Sequence, residues 1–373
     1  MKLTSEGDNM MEKLSDTIVN HSLKIKKNEK VLITSESINA KPLILSLIKK
    51  INQVGGLCQV KILDSDINSK ILEGANKEEI DLISKMNSFE IDLFDAFIKI
   101  IYVDNEYNGM NIKKDIRKEL DRKNHKSNEI KINEKKWVLL NYPSNTLASK
   151  AHMTNSDFND YIFDVMNVDY DKMAEDIKPL KKLLESTDRV RIVAPDTDLT
   201  FSIKDMPIIP CTGECNIPDG EIFTAPIKNS VNGKITYNTP SPYHGNIYNH
   251  VSLEFKDGKI VNATCDEGDD KINEIFDTDE GSRYIGEFAI GLNPKILKPV
   301  GDILFDEKII GSIHFTPGMA YKEAYNGNDS DIHWDLVLIE REEYGGGKLY
   351  FDDKLVRENG KFVLDELKHL NLK

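Results

Sequence analysis

The sequence predicts an α/β N-terminal domain with a mostly parallel sheet, followed by an α+β C-terminal domain. Three observations predict it. Compact apolar runs alternate with helical patterns over the first third of the chain. From Val190 onward the texture changes to short β-rich runs and tight turns. The chain has 373 residues, more than one ordinary core organises, so two domains are expected.

Taken in order, KVLITSE (30–36) reads as a strand and KPLILSLIKKINQVGG (41–56) as an amphipathic helix stopped by a Gly-Gly pair. CQVKILD (58–64) is a second strand, and strand, helix and strand in so short a span make a parallel βαβ unit. No GxGxxG lies in its first strand-to-helix turn, so a dinucleotide site is not supported. FDAFIKIIYVD (94–104) and KWVLLNYP (136–143) read as further strands of the same sheet. The charged segment between them, 113–136, reads as a helix with a solvated face. DKMAEDIKPLKKLLEST (171–187) reads as one amphipathic helix acting as a hinge, which places the domain boundary near residue 187: 1–187 and 188–373. HVSLEFKDGKIVNATC (250–265) carries a hairpin signal, with Asp257-Gly258 between alternating strands.

Lys and Arg number 49 against 63 Asp and Glu, a net charge of −14. Such acidity argues against nucleic acid and against an anionic membrane surface. No apolar run approaches the ~20 residues of a membrane span. The polar start, MKLTSEGDNMMEKLSD, lacks the apolar region of a signal peptide, and Met10 or Met11 is an alternative start. Four cysteines, Cys58, Cys211, Cys215 and Cys265, are sparse and suit a reducing cytoplasm. Cys211 and Cys215 stand four apart with no second pair at zinc-site spacing, so they read as free thiols.

The chemistry gathers in the second half. NGNDSDIHWDLVLIE (326–340) puts His333 two residues before Asp335 at the mouth of an apolar run. In an extended chain such residues face one side, roughly 6–7 Å apart, and both can reach one ion. Trp334 then points the other way and packs. Upstream stand Glu221 in NIPDGEIFTAP, Glu287 in SRYIGEFAIGLNP and His314 in GSIHFTPGMAYKEAYNG, each at a strand edge or turn. Carboxylate and imidazole together suit zinc, cobalt, manganese or iron better than calcium. Five ligands exceed one tetrahedral zinc and suit two adjacent metals. Taken singly, each residue has an ordinary explanation: an exposed strand carboxylate, a turn cap, a satisfied core histidine. Spacing alone does not join them.

Those four stretches, in their order along the chain, together with KKNEKVLITSE, WVLLNYPSNTLASKAHMTNSDFNDYIF and VRIVAPDTDLTF, resemble the aminopeptidase T and aminopeptidase S family of dinuclear metallo-aminopeptidases. The resemblance covers nearly the whole chain. It implies two divalent metals (zinc, cobalt, manganese or magnesium) bound by Glu221, Glu287, His314, His333 and Asp335 in the C-terminal domain. It implies catalytic roles for Tyr321 and for Glu221 or Glu287, peptide substrates with a free N-terminus, and a homodimer. With the missing signal it implies a cytoplasmic peptidase. Without it Tyr321 reads as an ordinary packed tyrosine. Two departures from the family pattern stand out: Thr316-Pro317 replaces a small apolar pair, and Asp196 stands where glycine is commoner. Another metal-dependent amidohydrolase or dipeptidase, or a non-catalytic binding relative, is the alternative.

Overall fold

The computed structural model describes residues 5–243 and 245–372. The first four residues of the polar N-terminal stretch lie outside them. The chain forms two compact units, residues 1–167 with 213–218, and residues 168–212 with 219–373.

The first unit is built on a five-stranded parallel sheet. Its strands are β1 (Lys30–Ser35), β2 (Leu57–Ile62), β3 (Ala96–Ile101), β4 (Lys136–Asn141) and a short Asn216–Ile217 segment. The spatial order is β2, β1, β3, β4 and then Asn216–Ile217. Val31, Ile33 and Ile98 are fully buried, as central strands of a parallel sheet require. The helices between strands are α1 (Lys41–Gln53), α2 (Ser65–Gly74), α3 (Lys77–Leu93) and α4 (Lys114–Glu134). In α1, Leu43, Ile44, Leu47 and Ile51 repeat at helical spacing and bury one face. Gly55, at φ +79°, takes the left-handed conformation beyond the helix end that the Gly-Gly pair announced. The charged segment is the helix expected: of the α4 residues only Ser127 is buried.

The second unit is mostly antiparallel sheet. One sheet has eight strands, with Arg189–Ala194 and Thr197–Ser202 at its centre. The other has five: Ile209–Cys211, β5 (Glu221–Thr224), β6 (Ile285–Gly291), β7 (Ser312–Pro317) and β8 (Leu336–Ile339). Phe201 of the first sheet meets Phe288 and Phe315 of the second, each at 4.9 Å between ring centres, so the two sheets share a core. The hairpin signal holds: Ser252–Lys256 and Lys259–Thr264 pair around Asp257 and Gly258, both at positive φ.

The segment 171–187 differs from expectation. It forms two helices, Tyr170–Asp176 and Lys178–Glu185. Pro179 lacks the N–H that a continuous helix needs and crowds the carbonyl four residues back. The second helix buries Leu180 and Leu184 in the core of the second unit, so the boundary expected near residue 187 falls inside that unit. None of the four cysteines forms a disulfide among the described residues. Among the described residues no helix is long and apolar enough to cross a membrane.

Candidate metal centre

Strand alternation aims the candidate ligands. Ile222, Phe288 and Phe315 point into the shared core. Their neighbours Glu221, Glu287 and His314 therefore point to the opposite face of the five-stranded sheet. Antiparallel pairing of β6 with β5 and β7 brings the three strands into adjacent positions. Each glutamate follows a glycine with a reason. Gly220 has φ +127°, which side-chain-bearing residues rarely adopt. A Cβ on Gly286 would lie 2.3 Å from the Met319 carbonyl oxygen.

The last pair arrives by a different route. β8 begins only at Leu336, and His333 sits in an isolated bridge to Gly318. His333 Nε2 nevertheless lies 3.5 Å from Asp335 Oδ1, so the two side chains share one side as their spacing predicts. Trp334 between them is buried against Tyr243, Tyr248 and Phe276.

The site is compact. Glu287 stands between the two imidazoles, Oε1 at 3.0 Å from His314 Nε2 and Oε2 at 4.0 Å from His333 Nε2. Glu221 Oε2 lies 3.7 Å from His314 Nδ1. Ligand atoms of Glu221, Glu287 and His314 all fall within 4.8 Å of one another, and so do those of Glu307, His314 and Asp335. The imidazole tautomers follow from their partners. His314 Nδ1 meets the Glu307 carbonyl at 3.2 Å, and His333 Nδ1 meets the Met319 carbonyl at 2.9 Å. A carbonyl only accepts, so each Nδ1 carries a hydrogen, and each Nε2 is the nitrogen that faces the carboxylates and would ligate a metal. The Tyr321 ring centre lies 4.7 Å from that of His333, the rings tilted by 51°, and 42% of the Tyr321 surface is exposed.

Three further residues complete the centre; Glu307 and Lys308 were not singled out from sequence, and Thr316 only as a departure from the family pattern. Glu307 adds a fourth carboxylate. Lys308, fully buried, contacts Glu307 and lies 3.4 Å from Glu221 Oε1. Thr316 donates to Asp335 Oδ1 at 2.5 Å. The available signal was the DEK triplet 306–308 ahead of an apolar run, but it reads equally as a solvated turn. The departures now have places. Thr316 orients a candidate ligand, and Asp196 takes the left-handed turn conformation at φ +50°, which explains why glycine suits that position.

Electrostatics fit a cation. Burial, against the pull of Lys308, pushes the Glu221 carboxyl up to about 8. Burial opposes charge on His314, but its bond to Glu287 and the nearby Glu221 raise it to about 10. Burial, opposed by the His333 and His314 charges that prevail, leaves Asp335 below its usual range. Oε2 of Glu221 and Oε2 of Glu287 are buried without any hydrogen-bond partner. Orphaned carboxylate oxygens buried beside two imidazoles are what a divalent metal satisfies. Both raised groups are protonated below their folded pKa. Their contribution to stability is complete below the ordinary values and is lost as pH rises toward about 8 and 10. Metal loading at pH 7 should therefore release protons, with affinity climbing as pH rises through 8. Titration calorimetry in buffers of different ionisation enthalpy checks this, and identical heats in all buffers would contradict it.

The sequence matches the thermophilic metalloprotease (M29) family over residues 7–362. Among curated proteins, aminopeptidase 2 of Geobacillus stearothermophilus is 33% identical over 141 residues, 33% of this chain and 34% of that protein. Aminopeptidase AmpS of Bacillus subtilis is 36% identical over 126 residues, 33% of this chain and 30% of that protein. The chain thus aligns with about a third of the length of these relatives. Among solved structures, wild-type AmpT from Thermus thermophilus superposes with a TM-score of 0.78 at 20% identity, over 95% of this chain and 99% of that one. A 2,5-dihydroxypyridine dioxygenase from Pseudomonas putida KT2440 superposes with a TM-score of 0.60 at 12% identity, over 98% of this chain and 100% of that one. At those identities the two structures speak for the fold alone. The family match spans both units and every candidate ligand, and this chain belongs to the thermophilic metalloprotease family M29.

Proposed function

We propose that this chain is a metal-dependent aminopeptidase that releases N-terminal residues from peptides, using two divalent ions held by Glu221, Glu287, His314, His333 and Asp335. The observation that carries the reading is the convergence of these side chains with two orphaned carboxylate oxygens. The names of the curated relatives support the substrate class. Zinc, cobalt, manganese and magnesium all suit this donor set. A homodimer and a cytoplasmic place belong to the same reading and rest on the family resemblance.

Bound there, the metals would supply a water acidified toward neutrality and a Lewis acid for the carbonyl. The chain's own residues do the rest. Glu287, flanked by both imidazoles, would help hold the metals, and Glu221 or Glu287 would accept the proton of the attacking water and pass it to the leaving amine. Tyr321, its phenol held protonated by burial and by the surrounding carboxylates, donates a hydrogen bond to the oxyanion. Lys308 neutralises part of the charge on Glu221 and Glu307 and holds both in place.

A panel of peptides, each with a free and an acetylated N-terminus, tests this after chelation and after restoring each metal. Metal-restored cleavage of the free peptides alone is expected. Cleavage of both forms would favour another amidohydrolase, and silence from folded, metal-loaded protein would favour a binding role.

A further inference from the structure

The first unit contains a cavity of about 570 Å³, the size of a small-molecule site. Its lining comes from β1, β2 and β3, from α2, α3 and α4, and from the segment that follows β3. The sheet order turns at β1, with β2 on one side and β3 on the other. In open parallel sheets, that turning point at the carboxyl ends of the strands is where ligands bind.

The floor of the cavity is unusual for such a sheet. Faces covered by helices normally present apolar side chains. Here the register sets Thr34 directly opposite Lys61 on one side and Lys99 on the other. All three line the cavity, so a polar row bearing two ammonium groups crosses three adjacent strands. Lys61 is paired with Glu90 at 2.7 Å and Lys99 with Glu36 at 3.3 Å. Of the remaining lining carboxylates, Glu106 is paired with Lys150, and Asp104 is exposed to water.

Lys131 of α4 is the exception. Its Nζ stands 5.2 Å from the centre of the Phe97 ring, and it has no acidic partner among the described residues. Burial, and then the charge of Lys99, hold its pKa below the ordinary lysine value. A half-buried ammonium facing a second ammonium is unfavourable unless something supplies negative charge. The amides Asn87 and Asn128 line the same space and offer further donors.

We propose that this cavity binds a small organic anion whose carboxylate or phosphate group is held by Lys131 and Lys99. All of its lining residues belong to the first unit and none is a candidate metal ligand, so its existence does not depend on the peptidase reading. Without a glycine-rich turn at the first helix, the lysines rather than a helix N-terminus carry the anion.

The test uses the whole chain in thermal-shift and calorimetric titrations at constant ionic strength, with sodium chloride as the reference. The probes are inorganic phosphate, adenosine monophosphate, citrate and L-glutamate, so phosphate and carboxylate sources are told apart. At least one probe should raise the unfolding midpoint by several degrees. Lys131→Met and Lys131→Gln should weaken that probe at least tenfold, while their ligand-free midpoints equal or exceed that of the unaltered protein and their metal content is unchanged. The proposal is overturned if no probe shifts the midpoint or if both variants respond as strongly as the parent. It is also overturned if both variants are destabilised without ligand, which would make Lys131 a structural cation.

Discussion

Glu287→Ala should lose metal and peptide hydrolysis together, with turnover falling by more than about 10²-fold, since even outer partners of metal ligands are worth 10–100-fold. Glu287 is the carboxylate that stands between both imidazoles, and its Oε2 has no hydrogen-bond partner. Alanine removes the shared acceptor and leaves His314 and His333 without the group that joins them. The fold should survive with a lowered unfolding midpoint, because this side chain faces away from the Phe201, Phe288 and Phe315 core while its removal takes the bonding partner from buried His314. Metal content per chain, turnover on free peptides and the unfolding midpoint are the three readouts. Tyr321→Phe is the informative contrast, keeping metal while turnover drops on the order of 10²-fold through loss of the oxyanion donor. Retention of full metal-dependent activity by Glu287→Ala would overturn the ligand set. Loss of metal in Tyr321→Phe would make that tyrosine structural.

Arg357→Met should produce the largest loss of stability, about 3–5 kcal/mol, the usual consequence of removing one partner from a buried ion pair. Arg357 and Glu340 are both fully buried. Arg357 Nε donates to Glu340 Oε2 at 2.9 Å, and its Nη2 donates to the same oxygen at 2.5 Å and to the Ser312 carbonyl at 2.9 Å. Burial already raises the Glu340 carboxyl against the opposing pull of Arg357. Methionine would take from the buried carboxylate and the Ser312 carbonyl the bonds that Arg357 donates. The double variant Arg357→Met, Glu340→Leu should regain most of the loss, since a well-packed apolar pair often replaces a buried ion pair without penalty. Denaturant unfolding measures both. An Arg357→Met variant within about 1 kcal/mol of the parent would show that water or rearrangement rescues Glu340.

The sequence by itself determined the α/β first unit. Runs such as VLI at 31–33 and the Leu43, Ile44, Leu47, Ile51 spacing are local patterns, and local periodicity survives without tertiary information. It also determined the opposite orientations of Trp334 and its flanking His333 and Asp335, because i and i+2 share a side in any extended chain. Pro179 announced the break in 170–185 as well, but the amphipathic pattern around it reads through the proline.

Only the tertiary structure decided the company the candidate ligands keep. Glu221, Glu287 and His314 lie tens of residues apart, and antiparallel pairing alone makes them neighbours. Glu307 and Lys308 show the limit most clearly. In sequence, an adjacent acid and base look like a solvated turn. In the fold, Lys308 is fully buried beside Glu221, so the same two residues become part of the charge balance of the centre. Lys131 is a parallel case in the first unit. It lies in a helix that reads as charged and exposed, yet packing sets its ammonium over Phe97 beside a cavity. The physical reason is the same each time. Periodicity encodes which face a residue takes, whereas burial of a charge depends on which distant segments cover that face.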